Sequence, residues 1–319
     1  MADAPKWFAD ALARAGRDSE VIVSGCSIHF RTWGDAKNPG LLLVHGGAAH
    51  AGWWDFIAPM LSDQYFVAAL DLSGHGESGW REEYPREVWA GELIAVGETC
   101  GFRTPPIVIG HSMGGLVTIA AAALHGEKLA GAIIVDAPVR RPDPESEARR
   151  GPPGAWRAHR IYPDLDTAIG RFRLLPPQPC ENDFIIDHIA RHSLKEVPIT
   201  EENLNRVKDS TATIGSTGYT WKFDNRVFHQ ASRSVMSAYL SSVRCRVALL
   251  RGEFSIVVPP ETSDYMYELL DRNSPLVTIP QAYHHLLLDQ PLAFISAIRA
   301  LLADWEHSVP HRATRLSSV

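Results

Sequence analysis

The residue types best able to do chemistry are gathered in one short run, Gly110-His111-Ser112-Met113-Gly114-Gly115. It has the form G-x-S-x-G and sits between an apolar stretch ending at Ile109 and an alanine-rich one beginning at Met113. A serine on a sharp strand-to-helix turn is lifted above a sheet, and only small residues two positions away on either side avoid collision there. The same turn puts the N–H of Met113 at a helix N-terminus, where it can stabilise a developing oxyanion. The chemistry predicted is nucleophilic attack by Ser112. A free hydroxyl is a poor nucleophile, so a base must stand within hydrogen-bond reach. Two adjacent histidines, His284 and His285, compete for that role in the loop after the last expected strand.

The elements that must position these groups alternate along the first half of the chain. Val21 to Val23 and Ile28 to Trp33 read as strands around the turn Ser24-Gly25. Leu41 to Val44, apolar enough to be buried on both faces, and Tyr65 to Leu72, Ile107 to Ile109 and Ala132 to Val135 read as further strands. Helical spacing over Trp53 to Leu61, from Pro85 towards Gly101 and over Met113 to Leu124 fills the intervals. Such alternation predicts an α/β fold with right-handed crossovers and a mostly parallel sheet. The rhythm stops from Pro138 to about Ser242, a stretch rich in Pro, Arg and acidic residues with helical patches such as Asp183 to His192. It resumes with Val247 to Leu250, a helix near Glu261 to Leu270, a strand at Leu276 to Ile279 and a helix over Leu292 to Trp305. The expectation is one core domain, 1–137 and 243–306, interrupted by a helical insertion over 138–242 and followed by a polar tail, 307–319.

Composition narrows the function. Of 319 residues 45% are hydrophobic and 21% charged; 31 Lys and Arg against 37 Asp and Glu give a net charge of −6. A nucleic-acid binder should be basic, so none is expected. No stretch approaches the ~20 apolar residues of a membrane span, and the N-terminal segment is interrupted by charges where a secretory signal needs an apolar run. The four cysteines form no C-x-x-C pair, no H-E-x-x-H occurs, and His45 and His50 make no convincing metal pair. A cytoplasmic protein without metal or cofactor is expected.

Set together, these segments resemble the α/β-hydrolase superfamily over nearly the whole chain outside the insertion. Besides the G-x-S-x-G turn, His45-Gly46-Gly47 is similar to the family's oxyanion loop, and Asp71-Leu72-Ser73-Gly74-His75-Gly76-Glu77-Ser78 to its D-x-x-G-H-G-x-S segment. Tyr283-His284-His285 followed by Asp289-Gln290-Pro291 is similar to its C-terminal histidine segment. The resemblance implies an eight-stranded sheet flanked by helices with an inserted helical cap, a second oxyanion donor at the N–H of Gly47, and His284 rather than His285 as the base. It also exposes a departure. The family's usual acid follows the penultimate strand, where this chain reads Gly252-Glu253-Phe254-Ser255 with serine in place of aspartate. Some members place the acid after the strand that follows the nucleophile helix, and Asp136 stands there. An aspartate closing a buried apolar strand needs compensation, which a histidine would give. Glu253 is the alternative acid.

A cap in this position excludes water and walls the substrate pocket. Trp221, Lys222, Phe223 and Asp224, with Trp156 and Phe184, are candidates to line it or to join it to the core. Of Trp53 and Trp54 behind the oxyanion loop one is expected to face the core and the other the acyl site, and His45 and His111 beside it are either substrate contacts or hydrogen-bonded structural groups. Arg140, Arg141, Arg149 and Arg150 interleave with Asp143, Glu145 and Glu147, a pattern expected of a self-neutralising surface. Serine at the turn sets the chain apart from epoxide hydrolases and haloalkane dehalogenases of this fold, which use aspartate. The expectation is a hydrolase of small or medium apolar carboxylic esters. Carbon–carbon bond hydrolysis of a vinylogous diketo acid, cofactor-free perhydrolysis and a non-catalytic small-molecule receptor are the alternatives.

Overall fold

The computed structural model describes residues 4–142, 158–207, 213–228 and 236–307. A helix, α1 (Lys6–Leu12), precedes the hairpin of β1 (Arg17–Val23) and β2 (Cys26–Trp33). Its two-residue turn holds Ser24 and Gly25 at φ 46° and 77°, the doubly left-handed geometry that matches strand twist. Next come β3 (Gly40–Val44), a 3₁₀ turn over Ala51–Trp54, α2 (Ala58–Leu61), β4 (Phe66–Leu70), α3 (Arg86–Cys100), β5 (Ile107–His111), α4 (Met113–His125) and β6 (Gly131–Val135). The continuous helix expected over Trp53 to Leu61 is instead the 3₁₀ turn and the short α2, because Pro59 has no N–H to carry a helix through from residue 53.

After β6 the chain leaves the sheet and returns as β9 (Arg246–Gly252). In between lie α5 (Leu165–Ile169), α6 (Asp183–His192), β7 (Leu194–Pro198), β8 (Thr217–Trp221) and α7 (Met236–Ser241). The antiparallel pair β7–β8 is a strand element that the sequence did not disclose, since β7 carries Lys195 on one face and Glu196 on the other and no apolar run marks it. The chain ends with α8 (Pro260–Leu269), β10 (Leu276–Ile279), α9 (Leu286–Asp289) and α10 (Pro291–His307).

The main sheet has the order β1-β2-β4-β3-β5-β6-β9-β10, with β1, β2 and β4 paired antiparallel and the rest parallel. Strand alternation sorts the core into layers. Leu41, Leu43, Val67, Ala69, Ile109, Ile133 and Ala248 face one side, with Phe8 of α1, Ala58 of α2 and Phe294 and Ile298 of α10. Leu42, Val44, Ala68, Leu70 and Val108 face the other, against Leu93 and Val96 of α3 and Val117 of α4. Ala132, Ile134, Val247 and Leu249 continue that second face under α4, α7 and α8. The parallel strand ends of β3, β5, β6 and β9 therefore form one edge between two helical layers, where such sheets place their ligands.

The glycine-punctuated run after β4 stitches that edge together. Buried Asp71 accepts from the N–H of Ala51 at 2.6 Å and of Glu77 at 3.0 Å, and from His29 Nδ1 at 2.8 Å. Ser78 Oγ donates to the Asp71 carbonyl at 2.6 Å. His50 accepts from Gly52 N–H at Nδ1, so its Nε2–H donates across to Ser193 Oγ, 3.0 Å away, at the start of β7. Burial holds His50 neutral, down at about 3 against the partial support of Asp71; burial, reinforced by nearby His45, does the same to His75. Unfolded, each binds a proton below about pH 6.5; folded, neither does until near pH 3. Their contribution is thus whole above about pH 6.5 and is lost as pH falls. His29 has the opposite sign: burial works against its charged form, but Asp71 and Asp18 outweigh it and raise its pKa, so its contribution fades as pH rises. The depressed pair outnumbers it, and urea midpoints are expected to be lower at pH 5 than at pH 7.5; a flat or rising midpoint would show that these rings are not buried neutral.

Candidate active site

At the end of β5 the chain reverses into α4 within one residue. Ser112 carries that reversal at φ 54°, and its N–H donates to the Val135 carbonyl at 2.8 Å, which locks the turn against β6. The flanking glycines are small because backbone fills the space around them. A Cβ on Gly114 would stand 2.5 Å from the Val44 carbonyl oxygen and would press on that of His45 as well. Gly114→Ala is accordingly expected to cost about 1–3 kcal/mol of stability, read as a lowered Tm. An unchanged Tm would mean the turn relaxes freely.

His284 lies in the loop after β10, buried to 2% exposure. Its Nε2 is 2.9 Å from Ser112 Oγ and its Nδ1 is 2.7 Å from Asp136 Oδ2. The carboxylate can only accept, so Nδ1 bears the proton and Nε2 offers its lone pair to the serine hydroxyl. Asp136 follows β6 directly at φ 45°, with a side chain that exposes no surface to solvent. Gly252 N–H donates to its Oδ1 at 3.0 Å and Ser255 Oγ donates to its Oδ2 at 2.6 Å. Glu253, the alternative acid, points away: it is exposed and its Oε2 accepts from Gln281 N–H at 2.8 Å. Ser112, His284 and Asp136 are thus brought together, and Glu253 is not.

Gly46 lies against the serine, where a Cβ would stand 3.3 Å from that of Ser112, and Gly47 next to it faces the side chain of Met113. A Cβ on Gly47 would lie 3.7 Å from Met113 Sδ and 2.8 Å from Cε1 of Phe228, whose ring comes from the segment after β8. Met113 opens α4, so no carbonyl one turn earlier takes its N–H. Two backbone donors beside a nucleophile can hold the oxygen of a tetrahedral intermediate.

The proposed pocket residues fare differently. His45 is corrected from a substrate contact to a brace, because both ring nitrogens are used: Nδ1–H donates to the Gly46 carbonyl at 2.7 Å and Nε2 accepts from Leu72 N–H at 3.1 Å. His111 likewise spends its Nε2–H on the His284 carbonyl at 3.0 Å, which holds the histidine loop in place. Trp54 is fully buried beside Phe294, where it belongs to the core. Trp53 packs its ring 5.5 Å from that of His285. Trp221 stands on β8 against Tyr162 and Phe172. Phe184 joins α6 to α1 through Phe8, ring centres 4.9 Å apart, and so packs rather than lines. Arg141 pairs with Glu268 and covers the Tyr265 ring, while Arg140 donates to the Val257 carbonyl. Trp156, Arg149, Arg150, Asp143, Glu145 and Glu147 lie outside the described residues.

Two side chains whose roles the sequence does not disclose shape the site. One is Ser255. The other is Asp224, buried, which accepts from Tyr84 Oη at 2.8 Å and Arg226 Nε at 2.7 Å while its N–H donates to the Gly74 carbonyl at 2.8 Å. That node fixes the turn Asn225–Phe228 and, through it, the Phe228 ring over Gly47.

His111, His284 and His285 bring ring nitrogens within 4.8 Å of one another. Two of the three rings are committed elsewhere: both His284 nitrogens and the His111 Nε2 are already hydrogen-bonded. Burial drives the His111 pKa well below the ordinary range, with help from His284 and His285. His285 is lowered to about 3, again chiefly by burial, and the Leu175 and Pro176 carbonyls face its ring without completing a hydrogen bond. A set of neutral rings behind a single carboxylate suits proton transfer through His284. No helix among the described residues is long and apolar enough to cross a membrane.

The family described as "Alpha/beta hydrolase family" matches the chain over residues 41–297. A pimeloyl-[acyl-carrier protein] methyl ester esterase of Neisseria meningitidis serogroup C is 25% identical over 259 residues, 81% of this chain and 91% of that protein. Esterase Rv0045c of Mycobacterium tuberculosis is 22% identical over 287 residues, 88% of each. Among solved structures, the thioesterase domain from the curacin biosynthetic pathway superposes with a TM-score of 0.69 at 22% identity, covering 89% of this chain and 99% of that domain.

Proposed function

This chain belongs to the α/β hydrolase family, and from that premise we propose that it hydrolyses carboxylic esters through an acyl-enzyme formed on Ser112. His284 takes the Ser112 proton as Oγ attacks the ester carbonyl, and Asp136 supports the imidazolium that results. The carbonyl oxygen, now negative, accepts from the N–H groups of Gly47 and Met113. One such donor is worth about 3–4 kcal/mol in comparable sites. His284 then gives its proton to the departing alcohol. Water enters, loses a proton to the same nitrogen, and releases the acid by the reverse path.

The observation that carries this reading is the unbroken line Ser112 Oγ to His284 Nε2 at 2.9 Å and His284 Nδ1 to Asp136 Oδ2 at 2.7 Å, with the histidine tautomer fixed by its acceptor. The esterase names of the two relatives agree with the reaction class. An ester with an apolar body fits the Phe228 ring over Gly47 and Phe223 beside it. We place the cap at 138–242, between core segments 1–137 and 243–306.

A serine-directed phosphonate and a panel of p-nitrophenyl esters test the proposal. Stoichiometric labelling of Ser112 together with turnover of short esters is the expected result. No labelling and no turnover would leave the receptor reading. Rapid bleaching of a ring-fission dienoate with no ester turnover would move the reaction to carbon–carbon cleavage.

A further inference from the structure

We propose that Ser255 is a positioning residue for proton transfer, acting on His284 through Asp136; the proposal rests on the reading of Ser112, His284 and Asp136 given above. Ser255 follows β9 by three residues and is buried to 5% exposure. Its Oγ accepts from Val257 N–H at 3.2 Å and Val258 N–H at 3.1 Å. With both lone pairs directed at those amides, its one proton is aimed at Asp136 Oδ2, 2.6 Å away. That oxygen is also the acceptor of His284 Nδ1–H. Gly252 N–H holds Oδ1, so the carboxylate is pinned at both oxygens and cannot turn about its terminal bond.

Two consequences follow from sharing one oxygen between two donors. Orientation is the first: the carboxylate plane, and with it the imidazole, is held in the pose that points Nε2 at Ser112. The second concerns charge. The hydroxyl draws part of the carboxylate's charge away from the imidazole, so the imidazolium is held less tightly and returns its proton more readily to the leaving alcohol. The titratable groups facing His284 are Asp136 from the end of β6, His111 from the end of β5, His285 beside it and Asp289 from α9. Of these only Asp136 is touched by Ser255.

The test compares wild type with Ser255→Ala and Ser255→Thr, measuring kcat, KM, the pH profile of kcat/KM, thermal melts and active-site content by phosphonate titration. In Ser255→Ala, kcat per titrated site is expected to fall about 10- to 100-fold with KM within about twofold. The acidic limb of the profile moves to higher pH, because the undivided carboxylate keeps the imidazole protonated longer. Ser255→Thr, which retains the hydroxyl, restores both. A merely structural role would lower the melt or the titrated fraction and leave the limb in place. Near-normal kcat with an unmoved limb overturns the proposal. Should Ser255→Ala not fold, Ser255→Cys, a poor donor that still fills the turn, is read by the same measures. Failure of the underlying reading is separately visible as wild-type protein that the phosphonate does not label, and then the role of Ser255 falls with it.

Discussion

Asp136→Asn is expected to lower kcat by about 10⁴-fold while the thermal melt stays near that of wild type. The amide is isosteric, so the packing at the end of β6 survives, and its oxygen can still take the Gly252 N–H. Its NH₂ then replaces Oδ2 and meets two donors, His284 Nδ1–H and Ser255 Oγ–H. Neither can accept it as they stand: Ser255 has its lone pairs on the Val257 and Val258 amides. The imidazole relieves the clash by moving its proton to Nε2, where it faces Ser112 and can no longer serve as a base. Glu253→Gln is expected to leave kcat within about twofold, since Glu253 caps the Gln281 N–H at the surface. Steady-state kinetics on the two variants checks both; active Asp136→Asn with inactive Glu253→Gln would move the acid to Glu253.

Ser112→Ala and His284→Ala are each expected to cost about 10⁶-fold in kcat, and the double variant no more than either alone. The proposed nucleophile and its base are hydrogen-bonded at 2.9 Å and would act as one unit, so once the hydroxyl is absent the imidazole has no proton to remove. A residue of catalysis over water remains, supplied by the Gly47 and Met113 N–H groups and by binding. Active-site titration before the kinetics separates this residue from contaminating wild type. Losses that add on a logarithmic scale would mean that the two side chains serve different steps.

Much of this was legible in the sequence because it obeys local rules. Strands β3 to β6 are buried on both faces and read as apolar runs, and the Ser112 turn advertises itself through Gly110 and Gly114. Long-range partnerships gave no such signal. Ser255 meets Asp136 across 119 positions, and nothing near either residue announces the contact; the missing aspartate at 255 marked the place, not the role. Which of the tryptophans faces the core is not legible for a related reason. Aromatic type predicts burial, whereas only packing decides whether a ring such as Trp54 faces core or ligand. The pair β7–β8 escaped because a short, half-exposed strand with Lys195 and Glu196 at its centre resembles the polar coil around it.

Ser112 and Asp136 both sit at positive φ, at 54° and 45°, a backbone region in which side chains other than glycine cost of order 1–3 kcal/mol. The residues proposed as nucleophile and acid are therefore burdens on the backbone of the resting fold. Glycine would relieve that burden at position 112, whereas at position 136 it would strand the Gly252 N–H, the Ser255 hydroxyl and His284 Nδ1–H, whose buried acceptor is the Asp136 carboxylate. A lineage released from selection for turnover would drift toward glycine at position 112 and grow sturdier as it fell silent, so a serine that persists there in a descendant is a mark of continued use.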